Sequence, residues 1–228
     1  TAPNALQSTS GITMADNTTL AYTGLNGILS RNITISTGTG YIRNSGGNTL
    51  TLNGTISKNG STLRFSQGNF VVNNSIIGSN PNSDVYYESG GVITLGAANT
   101  YNGPTYILNG TTVNANIAGA LPAGTLTDLT INDSGSQLVL GASQSVASLT
   151  GDSNAVVNLN SNTLSINGTS NSTFNGTISG TGSLTKDGSG ALLLGGNNTF
   201  GGNMTLNAGK LILNNAESLG AGSLVINS

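Results

Sequence analysis

The 228 residues include only 6% charged and 4% aromatic side chains, no histidine and no cysteine, and the formal net charge is -2. That composition excludes Ser-His-Asp and Cys-His catalysis, histidine- or cysteine-ligated metal and disulfides, and six scattered basic residues argue against a nucleic-acid partner. With 36% hydrophobic residues and little self-repulsion the chain has material for a core, unlike a disordered segment, and its solubility rests on Asn, Ser and Thr.

Taken in order, the chain repeats one grammar: short apolar pulses separated by Gly, Asn and Asp, the pattern of brief strands joined by tight corners. It starts Thr1-Ala2-Pro3-Asn4, neither an initiator Met nor a signal peptide, and no apolar run approaches the roughly 20 residues needed to span a bilayer, so an excised segment of a longer exported protein is expected. Thr18-Thr19-Leu20-Ala21-Tyr22 alternates as a strand, and Arg31-Asn32-Ile33-Thr34-Ile35 puts Ile33 and Ile35 on one face. Asn48-Thr49-Leu50-Thr51-Leu52-Asn53-Gly54-Thr55 reappears as Asn162-Thr163-Leu164-Ser165-Ile166-Asn167-Gly168-Thr169. Residues 80–90 (NPNSDVYYESG) break the rhythm most, joining a Pro turn, Tyr86-Tyr87 and the acids Asp84 and Glu88. This segment is expected to protrude and contribute a receptor or glycan contact, with Tyr86, Tyr87, Asp84 and Glu88 as its binding residues. The plainer reading is that Tyr86 or Tyr87 packs inward at an irregular corner.

A longer echo maps residues 91–126 onto 190–224: Leu95-Gly96 matches Leu194-Gly195, Asn99-Thr100-Tyr101 matches Asn198-Thr199-Phe200, and Leu121-Pro122-Ala123-Gly124 matches Leu219-Gly220-Ala221-Gly222. Copies separated by several units of about 20 residues indicate stacked solenoid turns. Between them Leu129-Thr130-Ile131, Leu138-Val139-Leu140 and Val156-Val157-Asn158-Leu159 continue the rhythm, and nothing reads as helix. The expectation is an all-β chain forming one continuous solenoid over residues 1–228, with roughly ten turns of about 4.8 Å each and repeat copies at 91–126 and 182–224. Asn and Gly hold the corners because both tolerate positive φ, and stacked Asn amides can form ladders. The closing Leu224-Val225-Ile226-Asn227-Ser228 reads as a strand with no cap, as expected if further turns follow.

The stretch 182–213 carries Gly-Ser-Leu-Thr-Lys, a Gly-Ser-Gly turn, Leu-x-Leu, Asn-Asn-Thr-Phe, Gly-Gly and Asn-Ala-Gly-Lys-Leu. It resembles the passenger-associated repeat of bacterial autotransporters, whose passengers are right-handed, single-stranded parallel β-helices. The resemblance implies an extracellular segment displayed at a bacterial cell surface, with an outer-membrane β-barrel expected downstream in the parent chain. It implies an adhesin or surface antigen whose partner is a host surface protein, a glycan or another copy of itself. It also gives a reason for the missing cysteines, since such passengers cross the outer membrane unfolded.

Other readings are weaker. The chain is not expected to be an enzyme or to need a cofactor or metal. A polysaccharide-active β-helix would need a carboxylate cluster, and the sequence offers the loose pairs Asp84 with Glu88 and Asp128 with Asp133. A purely structural stalk is the third alternative. In Lys186-Asp187-Gly188-Ser189-Gly190, Asp187 reads as a turn residue and Lys186 as an exposed charge. Gly180-Thr181-Gly182 lacks the rest of a phosphate loop. The Asn-x-Ser/Thr triplets, among them Asn17, Asn32, Asn53, Asn109, Asn167, Asn171 and Asn175, are expected by chance in so Asn-rich a chain. Thr-x-Thr at Thr37-Thr39, Thr49-Thr51 and Thr125-Thr127 is too irregular for an ice-binding rank.

Overall fold

In the computed structural model, which describes residues 10–81 and 83–227, the chain winds as a parallel β-solenoid of about 11 turns. Thr1-Ala2-Pro3-Asn4, Asn82 of the 80–90 segment and Ser228 of the closing strand lie outside the described residues. Every strand pair is parallel, and the strands distribute in repeating order over a ten-stranded sheet, an eight-stranded sheet and two five-stranded sheets. The two five-stranded sheets hold the same place in that order, so the cross-section has three faces, the third broken once near residue 120. The single helical piece among the described residues is one short 3-10 turn, Ala216–Leu219.

Strands of two to six residues suffice because each needs to bury only a few positions toward the axis, while its backbone pairs with the turns on either side. Ile12, Ile33, Ile56 and Ile76 stand in register along the first part of the third face. Leu164, Leu184 and Met204 do so further on, 20 residues apart at each step. Elsewhere turns range from 19 residues, between Leu192 and Leu211, to 25, between Thr112 and Gln137. Extra residues are accommodated at corners, where Asn17, Asn59, Asn109, Asp133 and Asn160 adopt positive φ, the conformation for which Asn, Asp and Gly are best suited. Asn ladders run along the outside: Asn227 Nδ2 donates to Asn207 Oδ1 (2.5 Å), and Asn207 Nδ2 to Asp187 Oδ1 (2.5 Å).

Some corners pass so close to the turn below that no side chain fits. A Cβ on Gly182 would stand 1.9 Å from the Asn162 carbonyl oxygen. The clash is with backbone, which cannot rotate away, so Gly182→Ala is expected to lower the unfolding free energy by about 2 kcal/mol in urea titration. A loss within error would mean that the corner yields.

Two copies of the long repeat share one device. Asn99, 4% exposed, lies beside Ile76 in the isoleucine column: the Ile76 N–H donates to Asn99 Oδ1 (2.7 Å), and Asn99 Nδ2 donates to the Ala120 carbonyl (2.6 Å). The Asn99 N–H donates to the Gly119 carbonyl (2.8 Å). At Asn198 the same bonds go to the Ile178 N–H (2.8 Å), the Ser218 carbonyl (2.6 Å) and the Glu217 carbonyl (2.9 Å). Each asparagine thus ties a strand on one side to an irregular span on the other. The span at 117–121 is gripped from its far side by Gln144, whose Oε1 accepts from the Leu121 N–H (3.0 Å) and whose Nε2 donates to the Ile117 carbonyl (2.7 Å). This clamp is how the third face survives the turn that lacks a strand there.

Two of the three lysines, Lys58 and Lys186, are buried, whereas Lys210 is exposed. Lys186 is 1% exposed, with Nζ donating to the Gly188 carbonyl, against the expectation of an exposed charge. Burial lowers its pKa, opposed by Asp187. Its side chain follows the strand alternation inward, where corner carbonyls supply the acceptors. Lys58 is fully buried in the same way.

Candidate functional site

The outward positions of the ten-stranded sheet bring Tyr41, Arg64, Tyr86, Glu88 and Tyr106 onto one surface. The strand Val85–Glu88 alternates regularly, Val85 and Tyr87 facing in and Tyr86 and Glu88 facing out. It pairs with Thr62–Ser66 on one side and Thr105–Ile107 on the other, so this part of the 80–90 segment is a rung of the wall and does not protrude. Two adjacent tyrosines hid the alternation, because both are apolar enough to face either way.

Tyr87 is 0% exposed and stacks on Phe65 (centroids 5.4 Å apart, planes at 19°), which meets Phe70 edge-on at 5.2 Å. Burial pushes its hydroxyl pKa well up. It belongs to the core, and no ligand reaches it without repacking the wall. Tyr86 lies in a different column. Register places Tyr41, Arg64, Tyr86, Tyr106, Thr130 and Thr150 in one outward line. The Arg64 guanidinium lies 3.7 Å over the Tyr86 ring, and Tyr106 stacks on Tyr86 at 4.4 Å with planes at 10°. Arg64 Nη1 donates to Glu88 Oε2 at 2.8 Å, and the Tyr86 hydroxyl donates to Asp84 Oδ2 at 3.2 Å. Partial burial and then the neighbouring Asp84 carboxylate push the Tyr86 pKa up to about 12, and the same causes in the same order raise that of Tyr106.

Three of the four expected binding residues, Tyr86, Asp84 and Glu88, therefore cluster, joined by Arg64 and Tyr106, which the sequence reading did not single out. Each of those two is visibly outward in its own alternating strand, Thr62–Ser66 or Thr105–Ile107. What brings them to Tyr86 is the register between turns of unequal length, which has no local signal.

Asp133 and Asp152 serve the framework. Asp133 Oδ2 accepts from the Asn109 N–H (3.0 Å), and Asp152 Oδ2 from the Asp133 N–H (2.9 Å), each capping the turn before it. Asp128 Oδ1 accepts from the Ser148 hydroxyl (2.6 Å). Among the described residues no group of three or more His, Cys, Asp or Glu side chains is placed to hold a metal. At Gly180-Thr181-Gly182 the N–H groups of Thr181 and Gly182 both donate to the Asn160 carbonyl (2.5 and 2.7 Å), so those donors are committed within the wall. No helix among the described residues is long and apolar enough to cross a membrane. In comparisons with known proteins, no family model, no curated protein and no solved structure matches the chain.

Proposed function

We propose that the chain is a β-helical passenger segment of a bacterial autotransporter that acts as an adhesin or surface antigen at the cell surface. The resemblance of residues 182–213 to passenger repeats supports the family, and the rod architecture is consistent with it. The observation that carries the binding role is the outward Arg64–Tyr86–Tyr106 stack with Asp84 and Glu88 beside it. Here partly exposed aromatic area and charge coincide, the combination enriched at recognition surfaces.

Labelled protein presented to a panel of host cells, matrix proteins and glycans is expected to bind one class saturably. The double substitution Tyr86→Ser with Tyr106→Ser is expected to lower that affinity at least about tenfold while leaving the β-type circular dichroism unchanged, since both rings are only partly buried. Folded protein that binds nothing on the panel would favour a stalk, and unchanged binding by the double variant would move recognition to another part of the rod.

A further inference from the structure

The aromatic stack ends differently on its two sides. At one end the Tyr86 ring is covered by the Arg64 guanidinium, which Glu88 holds at 2.8 Å. At the other end stands Tyr106, with Tyr86 against one face and, on the next two turns of the same column, only Thr130 and Thr150. Threonine is too short to cover a phenol ring, and Tyr106 is partly exposed beside the Thr130 turn.

That turn also carries Asp128, two residues before Thr130 and therefore on the same side of the sheet, and it is exposed. Asp128 Oδ1 takes the Ser148 hydroxyl, while Oδ2 has no hydrogen bond among the described residues. Asp84 and Asp128 both raise the Tyr106 pKa, which places two carboxylates within electrostatic reach of this ring. The nearest cation of the ladder, Arg64, is already paired with Glu88. The open end therefore combines an aromatic face with the exposed Asp128 carboxylate, which forms no ion pair among the described residues.

We infer that the open end of the stack binds a guanidinium, supplied by an arginine side chain on an extended segment of a partner protein, lying on the exposed face of Tyr106 and donating to Asp128. The molecule itself shows the recognition at work, since Arg64 and Glu88 make the same pair of contacts at the opposite end of the same stack. Arginine is favoured over lysine because a planar guanidinium stacks and donates in its plane at once, whereas an ammonium is a strongly hydrated point charge. The inference rests on the reading of this stack as a contact surface and adds to it the chemistry of the partner.

The test uses the whole chain with isotope-labelled tyrosine and threonine, titrated in the NMR spectrometer with N-acetylarginine amide, N-acetyllysine amide and N-acetylglucosamine oligomers. The arginine probe is expected to shift the Tyr106 ring and Thr130 methyl signals saturably, with a Kd on the order of millimolar for one isolated side chain and the lysine probe several-fold weaker. Asp128→Asn should weaken arginine binding about fivefold without changing the melting temperature. Thr130→Arg should abolish it by filling the site from within. No saturable shift at Tyr106, an unchanged Kd in Asp128→Asn, or tighter binding of lysine or the neutral sugar would overturn the inference. Cell or matrix binding that is lost with Tyr86→Ser/Tyr106→Ser but kept in Asp128→Asn would overturn this inference alone and leave the adhesin reading standing.

Discussion

Asn99→Ala is expected to lower the unfolding free energy by about 3 kcal/mol, and Asn198→Ala by a similar amount. Each substitution strips the partner from a buried N–H, that of Ile76 or Ile178, and from a carbonyl oxygen, that of Ala120 or Ser218. Leaving one buried backbone group unsatisfied costs roughly 1–3 kcal/mol, so two such groups outweigh any gain from removing a polar side chain. In a stacked solenoid each turn leans only on its neighbours, so the damage should be local. Urea titration measures the total, and amide hydrogen exchange should show faster opening at Ile76 and Ala120 in one variant and at Ile178 and Ser218 in the other. Losses below about 1 kcal/mol would mean that water satisfies these groups and that the clamp is not a fastening.

Lys58→Met is expected to stabilise the chain at neutral pH and to abolish a rise in stability between pH 7 and pH 10. Lys58 is fully buried; its Nζ donates to the Ser83 carbonyl and to that of Asn102 (3.2 Å) and lies 4.8 Å from the Tyr101 ring centre. Burial lowers its pKa to about 7, opposed by Asp84. The unfolded lysine keeps a pKa of about 10.4, so between pH 7 and that value the unfolded chain binds more protons. Stability therefore increases with pH across this window, and below pH 7 the full penalty of the buried charge remains. Integrated to pH 7, the shift from 10.5 to about 7 corresponds to about 4 kcal/mol. Methionine removes that penalty but leaves the Ser83 carbonyl without its donor, so the net gain at pH 7 is expected to be about 2 kcal/mol, reversing to a loss near pH 10. Tyr87 and Tyr101, whose pKa values are raised by burial, begin to weigh against the fold only above about pH 10, where the unfolded tyrosines ionise, so the comparison belongs below that pH. A difference between parent and variant that stays constant from pH 7 to pH 9.5 would show that Lys58 is not titrating in the core.

Much of the architecture is legible in the residues because its causes are local. Isoleucine and leucine at every second position, broken by Asn-Gly and Gly-Gly, can only make short half-buried strands and corners, and the positive φ of Asn59 and Asn109 is what those corners require. The echo of Asn99 in Asn198 is visible in the letters too, and it marks the clamp. Lys186 shows where local reasoning fails: a lysine in a Gly-rich corner reads as solvated, yet strand alternation carries it inward, and the carbonyls that receive it belong to the corner's own fold. Tyr86 and Tyr87 fail for a related reason, since composition alone does not say which of two adjacent tyrosines faces the axis.

The amino-acid sequence by itself determined that this protein is all-β, stacked in turns of about 20 residues, and free of histidine and cysteine chemistry. Only the tertiary structure decided which residues share a column. The repeat strand Val92–Leu95 lies in the eight-stranded sheet, whereas its counterpart Ala191–Leu194 lies in the ten-stranded one, so the same motif sits on a different face in each copy. The physical reason is that turns vary between 19 and 25 residues and each corner absorbs the difference, so lateral neighbours are set by the sum of all intervening corners. Arg64, Tyr86 and Tyr106 meet through that sum, and the contact surface they form follows from register accumulated along the rod.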